Sequence, residues 1–409
     1  MAQFKIKDYA KIIRPQNFDE LQLLAERVRG KTLKMVNSTA VGGGVAEILS
    51  RFIPLINELG VITKWEVIKG SGAFFGVTKA FHNALHGSKV DVYGQMFEIF
   101  RENNEENRRN MTFDEDFVVI HDPQPAGLIE SKKKSKTKWV WRCHIDLSNP
   151  QPEIWNFLKG YVSKYDGSIF STPWFAKELP IPQYFIFPAI DPLSEKNKDL
   201  TPSEVDKILR KYNIDRSRPI VTQISRFDRL KDPVGVIKAY KLAKKHTDCQ
   251  LVLAGGSASD DPEGAEVLEE VKNEAGNDPD IHILSLPPFA DLEINALQRA
   301  STIVMQKSLR EGFGLTVTEA LWKGKPVIAS AIGGITLQVI HNFTGLLVHS
   351  VEGAAYQIRY LLNNPQVAER LGRYGKEQVR EKFLITRILR NYLLLLIALD
   401  HPNENIIQL

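Results

Sequence analysis

The strongest constraint on the fold of this chain is an alternation of short apolar runs with longer amphipathic stretches. Each run is too brief for a core helix, and a segment with apolar residues every three or four positions follows many of them. That order builds βα units, and βα units build parallel sheets with helices on their faces. In the first half the expected strands are 33–36, 63–68, 117–120, 139–143, 167–170 and 184–187, with helical patterns at 45–59, 75–85 and 152–164. In the second half strands are expected at 220–224, 250–254, 281–284, 302–305, 326–329 and 345–348, with helices at 234–245, 262–275, 292–299 and 317–323. The second half is thus a complete doubly wound set in itself. The fold class is α/β.

A length of 409 residues calls for two or three domains. The break is expected at Phe187-Pro188-Ala189-Ile190-Asp191-Pro192-Leu193, where two prolines favour extended chain. Residues 193–203 are polar and fit a linker. The expected domains are therefore 1–192 and 193–382, with a leucine-rich terminal helix at about 383–409 packing back on the first. Hydrophobic residues make up 43% and charged residues 25%, as in a soluble globular protein. Net charge is +4, and the run Lys132-Lys133-Lys134 carries no interleaved aromatics, so nucleic acid is not an expected partner. Cys143 and Cys249 lie 106 positions apart, which excludes a local metal cluster and suits a reducing, cytoplasmic compartment. No apolar run is long enough to span a bilayer, and the N-terminus has no signal-peptide layout, so no membrane partner is expected either.

Chemistry concentrates in Arg310-Glu311-Gly312-Phe313-Gly314-Leu315-Thr316-Val317-Thr318-Glu319. Two carboxylates stand eight positions apart around a Gly-Phe-Gly turn that opens a helix. A helix start presents unpaired N–H groups and the positive end of a dipole, a natural seat for a diphosphate. Glu311 and Glu319 are too far apart to act on one bond, but they could grip opposite ends of a ligand whose middle is a diphosphate. The plainer alternative is a solvated acid beside a turn and a second on an exposed helix face. A glycine-rich turn, Asn37-Ser38-Thr39-Ala40-Val41-Gly42-Gly43-Gly44, follows the first strand, with Glu66 where a dinucleotide fold keeps its ribose acid. Glycine there equally permits tight strand–helix packing. After the first strand of the second half comes Ser225-Arg226-Phe227-Asp228-Arg229-Leu230-Lys231-Asp232. Arg226 and Lys231 in one crevice loop match a diphosphate, while Asp228 and Arg229 read as ordinary loop charges. Two histidines end first-half strands, in His121-Asp122-Pro123-Gln124-Pro125 and in Arg142-Cys143-His144-Ile145-Asp146. Neutral imidazole suits sugar hydroxyls and can move protons near neutrality. His82, His86 and His246 fall on helical patterns. No nucleophile elbow and no Walker loop is present.

With those residues in view, the chain resembles the retaining glycosyltransferases of the GT-B fold, in the family that contains sucrose and trehalose synthases. The signature is the Glu311-to-Glu319 spacing with Arg226 and Lys231. A closer resemblance, to trehalose glycosyltransferring synthases and their phosphorylase relatives, rests on Asn37–Glu47, His121–Pro125, Trp141–Asp146 and Ile190–Ser194. It implies two Rossmann-like domains facing across a cleft, the N-terminal one binding acceptor and the C-terminal one binding a nucleotide-sugar. It also implies glucose transfer from UDP- or ADP-glucose to free glucose, reversibly, giving α,α-trehalose. Arg226 and Lys231 would hold the diphosphate and stabilise the leaving group. Glu319 would bind ribose, Glu311 the donor glucose, and Gly312, Phe313, Gly314, Leu315 and Thr316 would line sugar and phosphate. Gly43 and Gly44 would let the first domain close on the donor. His144 and Asp146 would surround the reacting carbons, with His121, Asp122 and Gln124 on the acceptor. The metal-binding Asp-x-Asp of the other glycosyltransferase fold is absent. The resemblance therefore requires no cofactor or bound metal, allows Mg2+ stimulation through the nucleotide, and is compatible with a homodimer. Ser225 and Asp232 stand where many relatives have glycine, and His341-Asn342-Phe343 lacks the glycine often found before Thr-Gly. These departures touch the nucleotide preference. The near alternative is a trehalose phosphorylase. More remote are an NAD-dependent dehydrogenase, built on the glycine turn and Glu66, and a non-catalytic sugar-nucleotide-binding protein.

Overall fold

The computed structural model describes residues 4–40, 44–133, 136–256, 262–287 and 289–401. The chain divides into two compact units: one runs to Pro188 and resumes at Ile385, and the other is Ala189–Leu384. Each is built on a parallel sheet.

The first sheet contains β1 (Thr32–Asn37), β2 (Ile62–Val67), β3 (Phe117–His121), β4 (Lys138–Arg142), β5 (Gly167–Phe170) and β6 (Gln183–Phe185). Their order is β2-β1-β3-β4-β5-β6, all parallel. The unit's helices are α1 (Pro15–Arg27), α2 (Gly44–Glu58), α3 (Gly72–Leu85), α4 (Gly94–Asn110) and α5 (Pro152–Val162). β3 is buried along its whole length, as a central parallel strand covered on both faces must be. One face packs Trp139, Trp141, Phe81 and Phe100 into an aromatic core.

The second sheet contains β7 (Ile220–Ile224), β8 (Gln250–Gly256), β9 (Ile281–Leu286), β10 (Ile303–Gln306), β11 (Val327–Ser330) and β12 (Leu346–Val348). Its order, β12-β11-β10-β7-β8-β9, is the doubly wound arrangement. Around it lie α6 (Pro202–Lys211), α7 (Pro233–Lys244), α8 (Pro262–Ala275), α9 (Asp291–Ala300), α10 (Leu315–Trp322), α11 (Ile335–Gln338), α12 (Val351–Asn363) and α13 (Pro365–Lys382). Separate apolar clusters cover its two faces, one around Tyr240 and Ile358, the other around Leu209 and Leu297. The last helix, α14 (Ile385–Asp400), belongs to the first unit. Among the described residues no helix is long and apolar enough to cross a membrane.

Candidate active site

In the second sheet the strand order reverses between β7 and β10, so the loops leaving those strands flank the switch point where ligands settle. The two loops are tied together. Leu309 N–H donates to Leu230 O at 2.7 Å, and Lys231 Nζ donates to Glu311 Oε2 at 2.7 Å. Ser308 Oγ donates to the same carboxylate oxygen at 3.3 Å. Lys231 and Glu311 are largely buried, whereas the Arg226 side chain is 64% exposed and donates to Asp228 Oδ2 at 3.4 Å. Asp232 takes φ 48°, accepts from Gly235 N–H at 3.0 Å to cap α7, and pairs with Lys307. Asp228 accepts from Leu230 N–H, and Arg229 reaches Glu266 and Glu270 of α8, so both serve the loop and its surroundings.

The turn into α10 depends on two glycines. Gly314, at φ 82°, is the N-cap, and no side chain caps the helix. The first-turn N–H groups are thereby offered to an anion. Gly333 has φ 45°, and a Cβ there would come within 1.9 Å of Glu311 O. Gln338 fastens the turn from behind: its Nε2 donates to Phe313 O at 2.5 Å, and its Oε1 accepts from Thr318 Oγ1 at 2.6 Å. Glu319 is buried within α10, which excludes the exposed-face alternative. It accepts from Gln298 Nε2 at 3.3 Å and lies 3.9 Å from Lys196 Nζ. Leu315 and Thr316 form the first turn of α10, and Thr316 Oγ1 donates to Gln306 Oε1 at 3.0 Å.

In the first sheet the order reverses between β1 and β3. His121 ends β3, and Asp122 follows at φ 68°, a costly conformation for a non-glycine residue. It is held there by Asp122 N–H donating to Arg142 O at 2.8 Å and by Trp141 Nε1 donating to Asp122 O at 2.9 Å. Asp122 Oδ1 accepts from His144 N–H at 2.8 Å. His121 Nδ1 and His144 Nε2 are 3.0 Å apart, with rings inclined by 14°. Arg142, the last residue of β4, is buried and donates to Phe170 O at 3.2 Å and to Ile186 O at 2.6 Å. Burial, then the Arg142 charge, pushes His121 down to about 3. The same causes hold His144 well below the ordinary imidazole range, with His121 adding to them. Burial pushes the Asp122 carboxyl up to about 7 against the opposing His144 N–H and Arg142.

The remaining expected residues are less convergent. Gly44 is the exposed first residue of α2, and Gly43 lies outside the described residues. Asp146 accepts from Ser148 N–H at 2.8 Å in a local turn. Gln124 O accepts from Asn104 Nδ2 at 3.0 Å, and Gln124 Oε1 is buried without a partner among the described residues. Among those residues no three His, Cys, Asp or Glu side chains gather as a metal site. Arg142, Lys307 and Gln338 have no assigned role in the sequence reading. The first two end or follow apolar strands at the crevice side, a positional signal that could have found them. Gln338 carries no such signal.

A family model described as "Trehalose synthase, N-terminal domain" matches residues 35–177, and one described as "Glycosyl transferases group 1" matches residues 204–378. The trehalose synthase of Pyrococcus horikoshii is 45% identical over 395 residues, which is 95% of this chain and 95% of that one. This chain belongs to the trehalose synthase family. The family's Thermococcus litoralis member is 44% identical over 398 residues, 96% of each chain. Among solved structures, an α,α-trehalose-phosphate synthase (UDP-forming) from Burkholderia xenovorans, in complex with glucose-6-phosphate, superposes with a TM-score of 0.73 at 14% identity. It covers 90% of this chain and 100% of that one, a likeness of fold alone. The architecture is GT-B, and membership of the trehalose synthase family makes the chain a trehalose-related hexosyltransferase. Glu66, on which the dehydrogenase alternative rested, is paired with the buried Lys34 at 2.6 Å.

Proposed function

We propose that this member of the trehalose synthase family transfers glucose from UDP- or ADP-glucose to free glucose, giving α,α-trehalose with retention and in both directions. The observation that carries the reading is the Lys231–Glu311 pair beside the side-chain-free start of α10. A sugar diphosphate brings both things this arrangement answers, anionic oxygens and neighbouring hydroxyls. Its phosphates take the helix start, Arg226 and Lys231. Charge grows on the leaving diphosphate as the glycosidic bond breaks, and cations placed in advance lower that barrier. Glu311 accepts hydroxyls of the donor glucose, and Glu319 accepts those of the ribose. His144, His121, Asp122 and Gln124 supply the acceptor side, and Asp146 follows His144 by two positions in the chain.

A retaining hydrolase would need two carboxylates about 5 Å apart at the bond. Transfer has no such need, because the departing phosphate oxygen can take the acceptor's proton. Mg2+ is expected to act through the nucleotide's phosphates rather than at a site of the protein.

The test compares labelled glucose plus UDP- or ADP-glucose with trehalose plus inorganic phosphate, followed by product analysis. Labelled trehalose from a sugar nucleotide is the expected result. Turnover only with phosphate would replace the synthase reading with the phosphorylase one.

A further inference from the structure

We propose that His121, with the buried guanidinium of Arg142 beside it, is a positioning residue that fixes His144 as its Nδ1–H tautomer, so that His144 meets an acceptor hydroxyl as a hydrogen-bond donor. This rests on the reading of the N-terminal unit as the acceptor site.

The geometry leaves few choices. His121 Nδ1 and His144 Nε2 are 3.0 Å apart, so one proton lies between them. Burial and Arg142 disfavour imidazolium at both rings. Two neutral arrangements remain: either His121 Nδ1–H donates, or His144 Nε2–H does.

The far nitrogen of His121 decides between them. His121 Nε2 is buried without a hydrogen-bond partner among the described residues, and so is Arg142 Nε. His121 and Arg142 both line a pocket whose other walls come from β1, α2 and α14 and are mainly apolar, through residues such as Met35, Leu49 and Ile388. Arginine Nε can only donate. Tyr392, whose hydroxyl can donate or accept, also lines this pocket, as does His144. A proton on His121 Nε2 would set a second donor beside the cation. A lone pair there faces the cation favourably. A water taken up in the pocket is compatible with this arrangement, accepting from Arg142 Nε–H and donating to His121 Nε2. The proton of His121 therefore sits on Nδ1 and is given to His144 Nε2. Neutral His144 then carries its own proton on Nδ1, the nitrogen left for substrate.

A protonated Nδ1 cannot act as a base toward the attacking hydroxyl. It can hold a lone pair of an acceptor hydroxyl and orient the sugar. In the transfer itself the bond from the donor's anomeric carbon to the diphosphate oxygen breaks. A bond from that carbon to the acceptor oxygen forms, and the acceptor's proton goes to the departing phosphate oxygen.

The experiment is long-range 1H–15N correlation of the full-length, histidine-labelled chain, with His144→Gln used for assignment. Protonated Nδ1 on both His121 and His144 is expected. Free imidazole side chains favour the other tautomer, so the result discriminates. A proton on His144 Nε2 overturns the proposal even if no variant folds. Two substitutions extend the test: His121→Asn keeps an N–H donor near Nδ1, and His121→Asp puts an acceptor there. His121→Asn should exceed His121→Asp by about 10- to 100-fold in kcat/KM for glucose, the range seen when an outer-shell partner that fixes an imidazole's tautomer is lost. KM for the sugar nucleotide should not separate the two. Equal losses of activity in the two variants overturn the proposal. If His144 proves to be Nδ1–H while glucose-dependent turnover ignores both substitutions, the tautomer stands and the acceptor-site reading falls, taking the role of His144 with it.

Discussion

Asp122 concentrates the electrostatic tension of the N-terminal unit in a single side chain. Its backbone is held at φ 68° by bonds from both neighbours on β4, and burial lifts its carboxyl from 3.8 to about 7. Below about pH 4 the folded and unfolded chains both hold this proton. Between about 4 and 7 only the folded chain holds it, so the contribution of Asp122 to stability is lost as pH rises through that window. Above 7 the loss is complete. Asn in its place cannot ionise and can still accept from His144 N–H. Asp122→Asn should therefore gain stability relative to the parent as pH rises from about 4 to 7, by at most about 1.4 kcal/mol per pH unit, and then level off. His121, pushed the opposite way, is present in both proteins and cancels in the difference. Urea denaturation at a series of pH values measures it. A difference independent of pH would show that the Asp122 carboxyl ionises normally. The residues that make this tension were only partly legible. His121 and Asp122 end an apolar run and could be placed by strand periodicity. Arg142 also ends such a run, but a guanidinium at 2% exposure is a poor expectation for any arginine, and its bonds to Phe170 O and Ile186 O are tertiary.

At the scale of elements, α10 shows what sequence pattern can and cannot supply. Its start was readable from the Gly-Phe-Gly turn, and its observed span Leu315–Trp322 begins two residues before the expected 317. What holds that start in place was not readable. Gln338 arrives from α11, and its one amide bonds the Phe313 carbonyl and the Thr318 hydroxyl. Gln338→Leu would leave both groups buried and unpaired, at a cost of about 1–3 kcal/mol each. The expected outcome is a lower urea midpoint together with a roughly tenfold higher KM for the nucleotide-sugar, since about 1.4 kcal/mol of misplacement is a factor of ten. A variant with the parent's KM would separate the turn from donor binding. Other elements escaped for different reasons. Central strands such as β3 were legible because parallel strands buried on both faces read as unbroken apolar runs. α4 was not, because much of its buried face is amide: Asn104 Nδ2 donates to Gln124 O at 3.0 Å and Asn107 Nδ2 to Lys69 O at 2.7 Å. Its apolar stripe is confined to the first turns, at Met96 and Phe100, and then gives way to asparagines. α6 has no counterpart among the expected helices, and its first two residues fall in the expected linker, although Thr201 and Glu204 form a capping box that signals a helix N-terminus.

For the whole molecule, the decisive event is the return of the chain to its first unit. It leaves that unit at Pro188 and re-enters it at Ile385, and at the crossing Ile190 N–H donates to Phe383 O at 2.9 Å. The leucine run of α14 is expected to pack back on the first domain, but an apolar face does not say which helices of that domain will cover it. The structure answers with α1 and α2. Phe52 and Tyr392 meet at 4.9 Å between ring centroids, and Arg390 grips Glu20 through two bonds of 2.7 and 2.5 Å. α14 also walls the pocket beside His121 and Arg142. Removing residues 385–409 would bare Phe52 and its neighbours, and losses of about 3–5 kcal/mol follow from a single buried aromatic removed from a core. The total exceeds what a domain of this size can spare, since native stabilities are about 5–15 kcal/mol. Hydrogen exchange on the truncated chain should therefore show lost protection in α1, α2, β1 and β3, while β7, β8 and β10 keep protection near the parent's. Loss spread evenly over both sheets would mean that the two units unfold as one. Unchanged protection in β1 and β3 would mean that the N-terminal sheet stands without its last helix.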